Sequence, residues 1–143
     1  MLQTYINVQP TLNDIRKLQY KLQNPDIMLS EIGDYVEGTI LEGFRKETDP
    51  YGAKWAPLSP ATINEKQRKG YPRNILIRTK RMKDSICKEV QGKALRIIVP
   101  NPSEFHQSGT KRMPARRILP EGNKLPRRME RDIQDIMVSY LDI

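Results

Sequence analysis

The side chain best suited to acid–base chemistry near neutral pH is the imidazole of His106, the single histidine of this 143-residue sequence. A Ser-His-Asp triad or a histidine metal site would depend on this residue alone. The sequence around it contains no nucleophile elbow, phosphate-binding glycine loop or zinc-protease motif. A histidine after an aromatic residue, in a turn bounded by glycine, is typical of a structural role in which one ring nitrogen binds a neighbouring carbonyl. We therefore predict a structural His106, with catalysis as the weaker alternative.

A second set of side chains could be imagined as a metal-dependent nuclease site: Asp49, Asp84, Lys88 and Glu89. Their spacing does not favour it, because Asp84 is predicted on a helical turn and Glu89 is one step out of phase with Lys88 on a strand. The single cysteine cannot form an internal disulfide, and cysteine-rich metal-binding spacings are absent from the sequence. We expect no enzymatic activity, no metal, no cofactor and no small-molecule substrate.

Apolar periodicity predicts the elements that position these side chains. Helices are predicted over residues 11–23, with Thr11 as the N-cap, and over residues 26–47; a short helix is predicted over residues 60–69, and a last helix from Pro126 with an apolar stripe that ends at Leu141. The second of these has an apolar stripe consisting of Leu29, Ile32, Val36, Ile40 and Phe44. A β-hairpin is predicted over residues 86–99, and residues 113–119 are predicted as an extended edge strand. The pattern indicates one α+β domain over residues 1–143, with a small, mostly antiparallel sheet packed by two long N-terminal helices and a C-terminal helix.

Two short segments, about fifty residues apart, place Trp, Pro and Gly in irregular backbone. The first is Asp49–Thr62, and the second runs from Phe105 to Arg117. Rigid loops of this kind, without acid–base chemistry, are typical of a surface that docks against another protein. Trp55 has two interpretations: it anchors its loop to the core, which we favour, or it is an exposed anchor for a neighbouring subunit.

The net charge of +8 is concentrated in the middle of the chain. Residues 65–117 carry 15 basic and 4 acidic side chains, a net charge of +11. Such a segment attracts phosphate backbones or acidic protein surfaces, or serves as a solvated face. Arg112, Arg116 and Arg117 are predicted to be surface charges that form salt bridges across subunits, contact DNA or remain solvated.

The composition also bears on assembly and compartment. A hydrophobic share of 37% with eleven prolines predicts a lean core that an interface with identical or different subunits completes. The N-terminus does not resemble a signal peptide, and no apolar run has the length of a membrane span. We expect a chain made in a reducing cytoplasm.

In order along the chain, several blocks resemble the phage virion-morphogenesis family, the tail-completion or neck proteins of Mu-like and related tailed phages. Residues 44–62 resemble the family segment F…DPxGxxWxPLSPxT, and residues 75–86 resemble the next element, iLxxTGxLxxSI. Phe105–Gly109 resembles YAxxHQxG, and Met113–Arg116 resembles mPARpFLG. Two departures are Lys80, where the family usually has glycine, and residues 117–120 after Arg116. The resemblance spans roughly residues 29–141.

The resemblance implies a non-enzymatic structural protein at the head–tail junction of a virion. It implies a ring, with six copies expected, between connector or head-completion proteins and tail-terminator or tube proteins, with packaged DNA in the lumen as a further candidate partner. The candidate contacts with a subunit or neighbour are Trp55, His106, Gln107, Arg112, Arg116 and Arg117. The alternative from another class is a small basic nucleic-acid-binding protein, although only Tyr71 and Phe105 offer stacking surfaces in the basic segment.

Overall fold

The computed structural model describes residues 1–142 and has an α+β fold, which confirms the predicted fold class. The helices in this range are α1 (Gln9–Gln23), α2 (Asp26–Lys46), α3 (Pro60–Lys69), α4 (Arg81–Asp84), α5 (Ser103–Ser108) and α6 (Arg127–Leu141). Two strands, β1 (Cys87–Gln91) and β2 (Ala94–Ile98), form an antiparallel hairpin.

The core is built along one side of α2. Met28, Ile32, Val36, Ile40 and Phe44 recur every four residues, and all five are buried. The predicted stripe is confirmed except at its first position. Leu29 was predicted there but is only half-buried, and the buried residue is Met28. Burial of each side chain of this size contributes about 1.5–3 kcal/mol relative to exposure, so α2 is the element around which the domain packs.

The hairpin lies directly against α2, and Gly33 allows the close approach. A Cβ atom at Gly33 would lie 2.7 Å from Cδ of Lys88 and 3.0 Å from Cδ1 of Leu95. The ammonium of Lys88 then reaches past the helix to the carbonyl and hydroxyl oxygens of Ser30, both at 2.9 Å, and to the carboxylate of Asp34. The close packing at this glycine therefore involves a hairpin of the same chain.

The prediction of a third strand, over residues 113–119, is wrong. The sheet of residues 1–142 contains only β1 and β2, and Met113 forms just an isolated bridge with Thr110. Residues 114–118 form no helix or strand, and backbone groups of residues 116–119 bind the carbonyl of His106 and the side chains of Trp55 and Gln107 in place of a neighbouring strand.

The C-terminal helix α6 contacts both N-terminal helices. The hydroxyl of Tyr35 in α2 donates to Asp132 of α6 at 2.7 Å. The ammonium of Lys21 in α1 donates to the carbonyl of Tyr140 in α6 at 2.9 Å. α1 begins two residues earlier than predicted, because Pro10 is well suited to the first turn of a helix, and no residue of α1 is buried. None of the helices in residues 1–142 is long and apolar enough to cross a membrane.

Candidate functional site

The loop between α2 and α3 is shaped by its own side chains. Oδ1 of Asp49 accepts hydrogen bonds from the backbone N–H groups of Tyr51 and Ala53, both at 2.9 Å. Gly52 has φ +92°, a conformation that favours glycine. Asp49 is therefore a turn-forming residue. The part of the chain that the structure describes contains no group of three or more His, Cys, Asp or Glu side chains that could hold a metal ion.

Trp55 anchors this loop to the core, which confirms the favoured interpretation. Its ring meets Phe44 edge-to-face, with the ring centroids 5.4 Å apart, and the side chain is 6% exposed. Its Nε1–H donates to the carbonyl oxygen of Arg117 at 2.9 Å. The indole thus binds the loop of the first motif to the backbone of the second, and it leaves little surface for the predicted contact with a neighbouring subunit.

The prediction that Arg116 is a surface charge is wrong, because the residue is only 7% exposed. Its Nε donates to the carbonyl oxygen of Ala56 at 2.8 Å, and its Nη2 donates to that of Pro57 at 3.0 Å. Burial lowers the pKa of this guanidinium from its usual value. Arg116 is therefore a clamp within the chain that holds the first motif loop, and reversal of its charge is expected to damage folding.

Gln107 makes a third connection of the same kind. Its Oε1 accepts from the backbone N–H groups of Ile118 at 2.8 Å and Leu119 at 3.0 Å, and its Nε2 donates to the carbonyl of Leu119 at 2.7 Å. One amide side chain thereby satisfies the backbone groups of Ile118 and Leu119 that a partner strand would otherwise bind. The polar groups of Gln107 are used inside the chain, although we predicted a contact with another subunit.

His106 lies beside these connections, but its ring does not form the expected bond to a carbonyl through Nδ1. Nδ1 is buried and has no hydrogen-bond partner among residues 1–142. Its backbone carbonyl accepts from the N–H of Arg116 at 2.6 Å. Burial, with a smaller contribution from the charge of Arg116, lowers the pKa of His106 below its usual value, so the neutral ring is favoured.

Arg112 and Arg117 remain exposed, as the sequence predicted. Arg117 forms an ion pair with Glu121 at 3.0 Å, and both side chains are about half exposed. An ion pair of this kind contributes little to stability. The predicted contacts of Arg112 and Arg117 with a neighbouring subunit stay predictions.

A concave surface lies next to the second motif, and we call it the cationic groove. Its volume is about 920 Å³. The cationic side chains that line it are Lys66, Arg78, Lys80, Arg81, Arg112 and Arg116. Among residues 1–142, no aspartate or glutamate contributes to its lining. The basic middle of the chain is thus partly gathered into one concave site.

Four cations of this groove were not predicted as site residues from the sequence, namely Lys66, Arg78, Lys80 and Arg81, and among them Lys66 is buried. It is 8% exposed, and its ammonium donates to the carbonyl oxygens of Asn74 at 2.6 Å and Ile77 at 2.8 Å. Burial lowers its pKa, and the charge of Glu47 partly opposes that effect. The one signal in the sequence was its spacing of three residues from Ile63 on the same side of α3.

Comparison with known proteins gives one match. No curated protein and no solved structure matches the chain. The model of the phage virion morphogenesis family matches residues 6–142, nearly the whole chain, and includes both motif loops and the cationic groove. This match confirms the resemblance indicated by the motifs: the chain belongs to the phage virion morphogenesis family.

Proposed function

We propose that this protein is a structural component of the head–tail junction, where a ring of identical copies joins the connector to the tail during virion assembly. Its family supports a role in virion assembly, and the finer assignment rests on the motif order and on the surfaces of the folded chain. The protein would act through contacts with other subunits, without chemical turnover.

The observation that carries the proposal is the uncovered apolar side of α1. Leu12, Ile15 and Leu22 are each between 41% and 55% exposed, and their spacings of three and seven residues place them on one side of the helix. The residues before α1 add Tyr5 and Ile6, which are more exposed still. Contiguous apolar surface of this kind is typical of a face that another protein covers.

The use of the motif residues supports a structural role. Trp55, Gln107 and Arg116 each donate to, or accept from, backbone groups of a remote segment. Side chains that bind backbone groups in this way fix the shape of the loops. The shaped loops can then serve as rigid docking surfaces.

A phage that lacks this gene tests the proposal. We expect filled heads and complete tails that remain separate under the electron microscope, and tailed particles when the wild-type protein is supplied from a plasmid. Tailed particles at the normal yield without the protein would overturn the proposal.

The role of α1 can be tested with the same complementation. Ile15→Ser with Leu22→Ser should lose complementation while the melting temperature changes little, because both side chains are exposed. Asp14→Ser with Lys17→Ser is the matched control, because both residues are exposed and lie on the other side of the same helix, and it should complement fully.

A further inference from the structure

The cationic groove contains two buried cations that form no salt bridge within residues 1–142, and the charge of Glu47 only partly offsets the burial of Lys66. Lys66 and Arg116 are both more than nine-tenths buried, and each binds only backbone carbonyl oxygens. Buried charges in proteins are usually paired, because carbonyl dipoles alone compensate incompletely for lost hydration. The rim adds the exposed side chains of Lys80 and Arg81. The groove therefore favours a ligand with negative charge.

The remaining lining of the groove restricts the kind of ligand. Apolar side chains, among them Leu76, Met82 and Met113, lie between the cations. A DNA duplex presents its phosphates on a convex surface and has no apolar groups there that could cover such a floor. A protein element that carries both carboxylates and an apolar side chain fits both features.

One face of α2 has this chemistry. Ile27, Glu31, Asp34 and Gly38 follow one another at spacings of four, three and four residues, so they share one side of the helix over about 16 Å. Ile27 is 63% exposed, and the other three are exposed as well. In residues 1–142 no cation pairs with Glu31, and Asp34 stays 69% exposed beside Lys88. We call these four residues the acidic face.

Gly38 gives a second indication that another chain packs closely against this face. A glycine in the middle of a helix destabilises it relative to alanine. Gly33 is explained by the hairpin, and Gly43 is explained by the carbonyl oxygen of Thr48, which would lie 3.1 Å from a Cβ atom there. A Cβ atom at Gly38 would meet no atom within 4 Å. The domain itself gives no reason for glycine at this position, whereas close packing of another chain does.

We infer that the acidic face of α2 in one copy of the chain docks into the cationic groove of the next copy. None of the residues that line the groove belongs to α2, so each copy offers the two surfaces separately. A ring needs a head-to-tail contact of this kind, in which two different surfaces of the same chain are complementary. The inference rests on the proposed ring and names the residues of its contact.

A charge exchange tests this pairing. Arg81→Glu in the groove and Glu31→Lys on the acidic face should each weaken self-association by about tenfold or more and reduce the yield of tailed particles. A chain with both substitutions should recover much of the association and the yield. Lys93→Glu and Glu130→Lys, exposed residues that belong to neither surface, are the matched controls. Sedimentation velocity and plasmid complementation measure the two effects.

Gly38→Gln provides an independent test of the close approach. In residues 1–142 a Cβ atom at this exposed position meets no other atom within 4 Å, and glutamine is a better helix former than glycine, so the melting temperature should not fall. Self-association and particle yield should nevertheless be lost. Full complementation by Gly38→Gln would contradict the inference.

The outcomes separate this inference from the proposed function. If tailed particles form without the protein, the proposed junction role fails. If the deletion separates heads from tails while Arg81→Glu and Glu31→Lys both complement fully, only the pairing is overturned. The pairing is also overturned if each single substitution weakens self-association and particle yield and the chain with both substitutions recovers neither. Loss of binding to a 20-base-pair DNA duplex in Arg81→Glu, with self-association unchanged, would identify nucleic acid as the ligand and overturn it too.

Discussion

Replacement of Arg116 with alanine should lower the free energy of unfolding by about 2–4 kcal/mol. The wild-type side chain is 7% exposed and donates to the carbonyl oxygens of Ala56 and Pro57, 2.8 and 3.0 Å away. These carbonyls lie about sixty residues away in the sequence, in the loop that carries Trp55. Without the guanidinium, that loop loses one of its attachments to the second motif.

Two opposing effects set this magnitude. A hydrogen bond from a charged donor contributes about 1.5–3 kcal/mol, so the two bonds together contribute about 3–6 kcal/mol. The substitution also removes a charge that had been buried without a carboxylate, and Pro57, which is exposed, leaves its carbonyl accessible to water. The remaining loss is a large part of the roughly 5–15 kcal/mol that stabilises a domain, and corresponds to a fall of about 4–16 °C in melting temperature.

Urea unfolding, followed by the fluorescence of the single tryptophan, measures the effect. Arg112→Ala is the matched control, because it removes the same charge from an exposed position four residues earlier, and it should change stability by no more than about 0.5 kcal/mol. The loss of stability in Arg116→Lys should lie between those of Arg116→Ala and Arg112→Ala, because an ammonium is a point donor and cannot form the two directed hydrogen bonds of a guanidinium. Equal unfolding midpoints for Arg116→Ala and Arg112→Ala would refute the clamp.

Two further predictions concern neighbouring residues. Trp55→Ala should lower the free energy of unfolding, measured in urea, by about 3–5 kcal/mol. Trp55→Phe should lower it less, because it keeps an aromatic ring against Phe44 and loses only the bond to Arg117 and part of the volume. A wild-type midpoint for Trp55→Ala would contradict the core position of Trp55. The folded state lowers the pKa of His106, so the unfolded chain binds more protons when the pH falls below the ordinary value of 6.5. The contribution of the neutral His106 ring to stability is therefore complete above that pH and is lost as the pH falls through the folded pKa. Calorimetry between about pH 7 and 5 should therefore show a smaller decline in melting temperature for His106→Gln than for the wild type, and parallel declines would count against this assignment.

The elements that could be predicted from the sequence are those whose signal is local. Residues spaced by four in α2 and alternating residues in the hairpin report directly which side is buried. Lys80 is a smaller example: its φ of +64° is the left-handed conformation that explains why glycine is usual at this place in the family motif. In each case the physical cause lies within a few residues of its signal.

The burial of Lys66 and Arg116 could not be predicted, because their partners are carbonyl oxygens of other loops. A backbone carbonyl is present at every residue, so no sequence pattern marks it as the acceptor for a remote cation. The same reason explains the wrong edge strand over residues 113–119. The backbone groups of that segment bind the carbonyl of His106 and the side chains of Trp55 and Gln107, and none of these partners belongs to a neighbouring strand.

The side chains that identify the family and the surfaces that would assemble the virion are therefore largely different residues. Trp55, Gln107 and Arg116 are used inside the chain, where each joins one motif loop to a remote backbone segment. The surfaces left for other subunits are the apolar side of α1, the acidic face of α2 and the rim of the cationic groove. Substitutions in the first set should fail because the loops lose their shape, and they should lower the melting temperature. Substitutions in the second set should fail in assembly while the domain stays folded, so the two kinds of failure can be told apart by measuring stability and particle yield on the same variants.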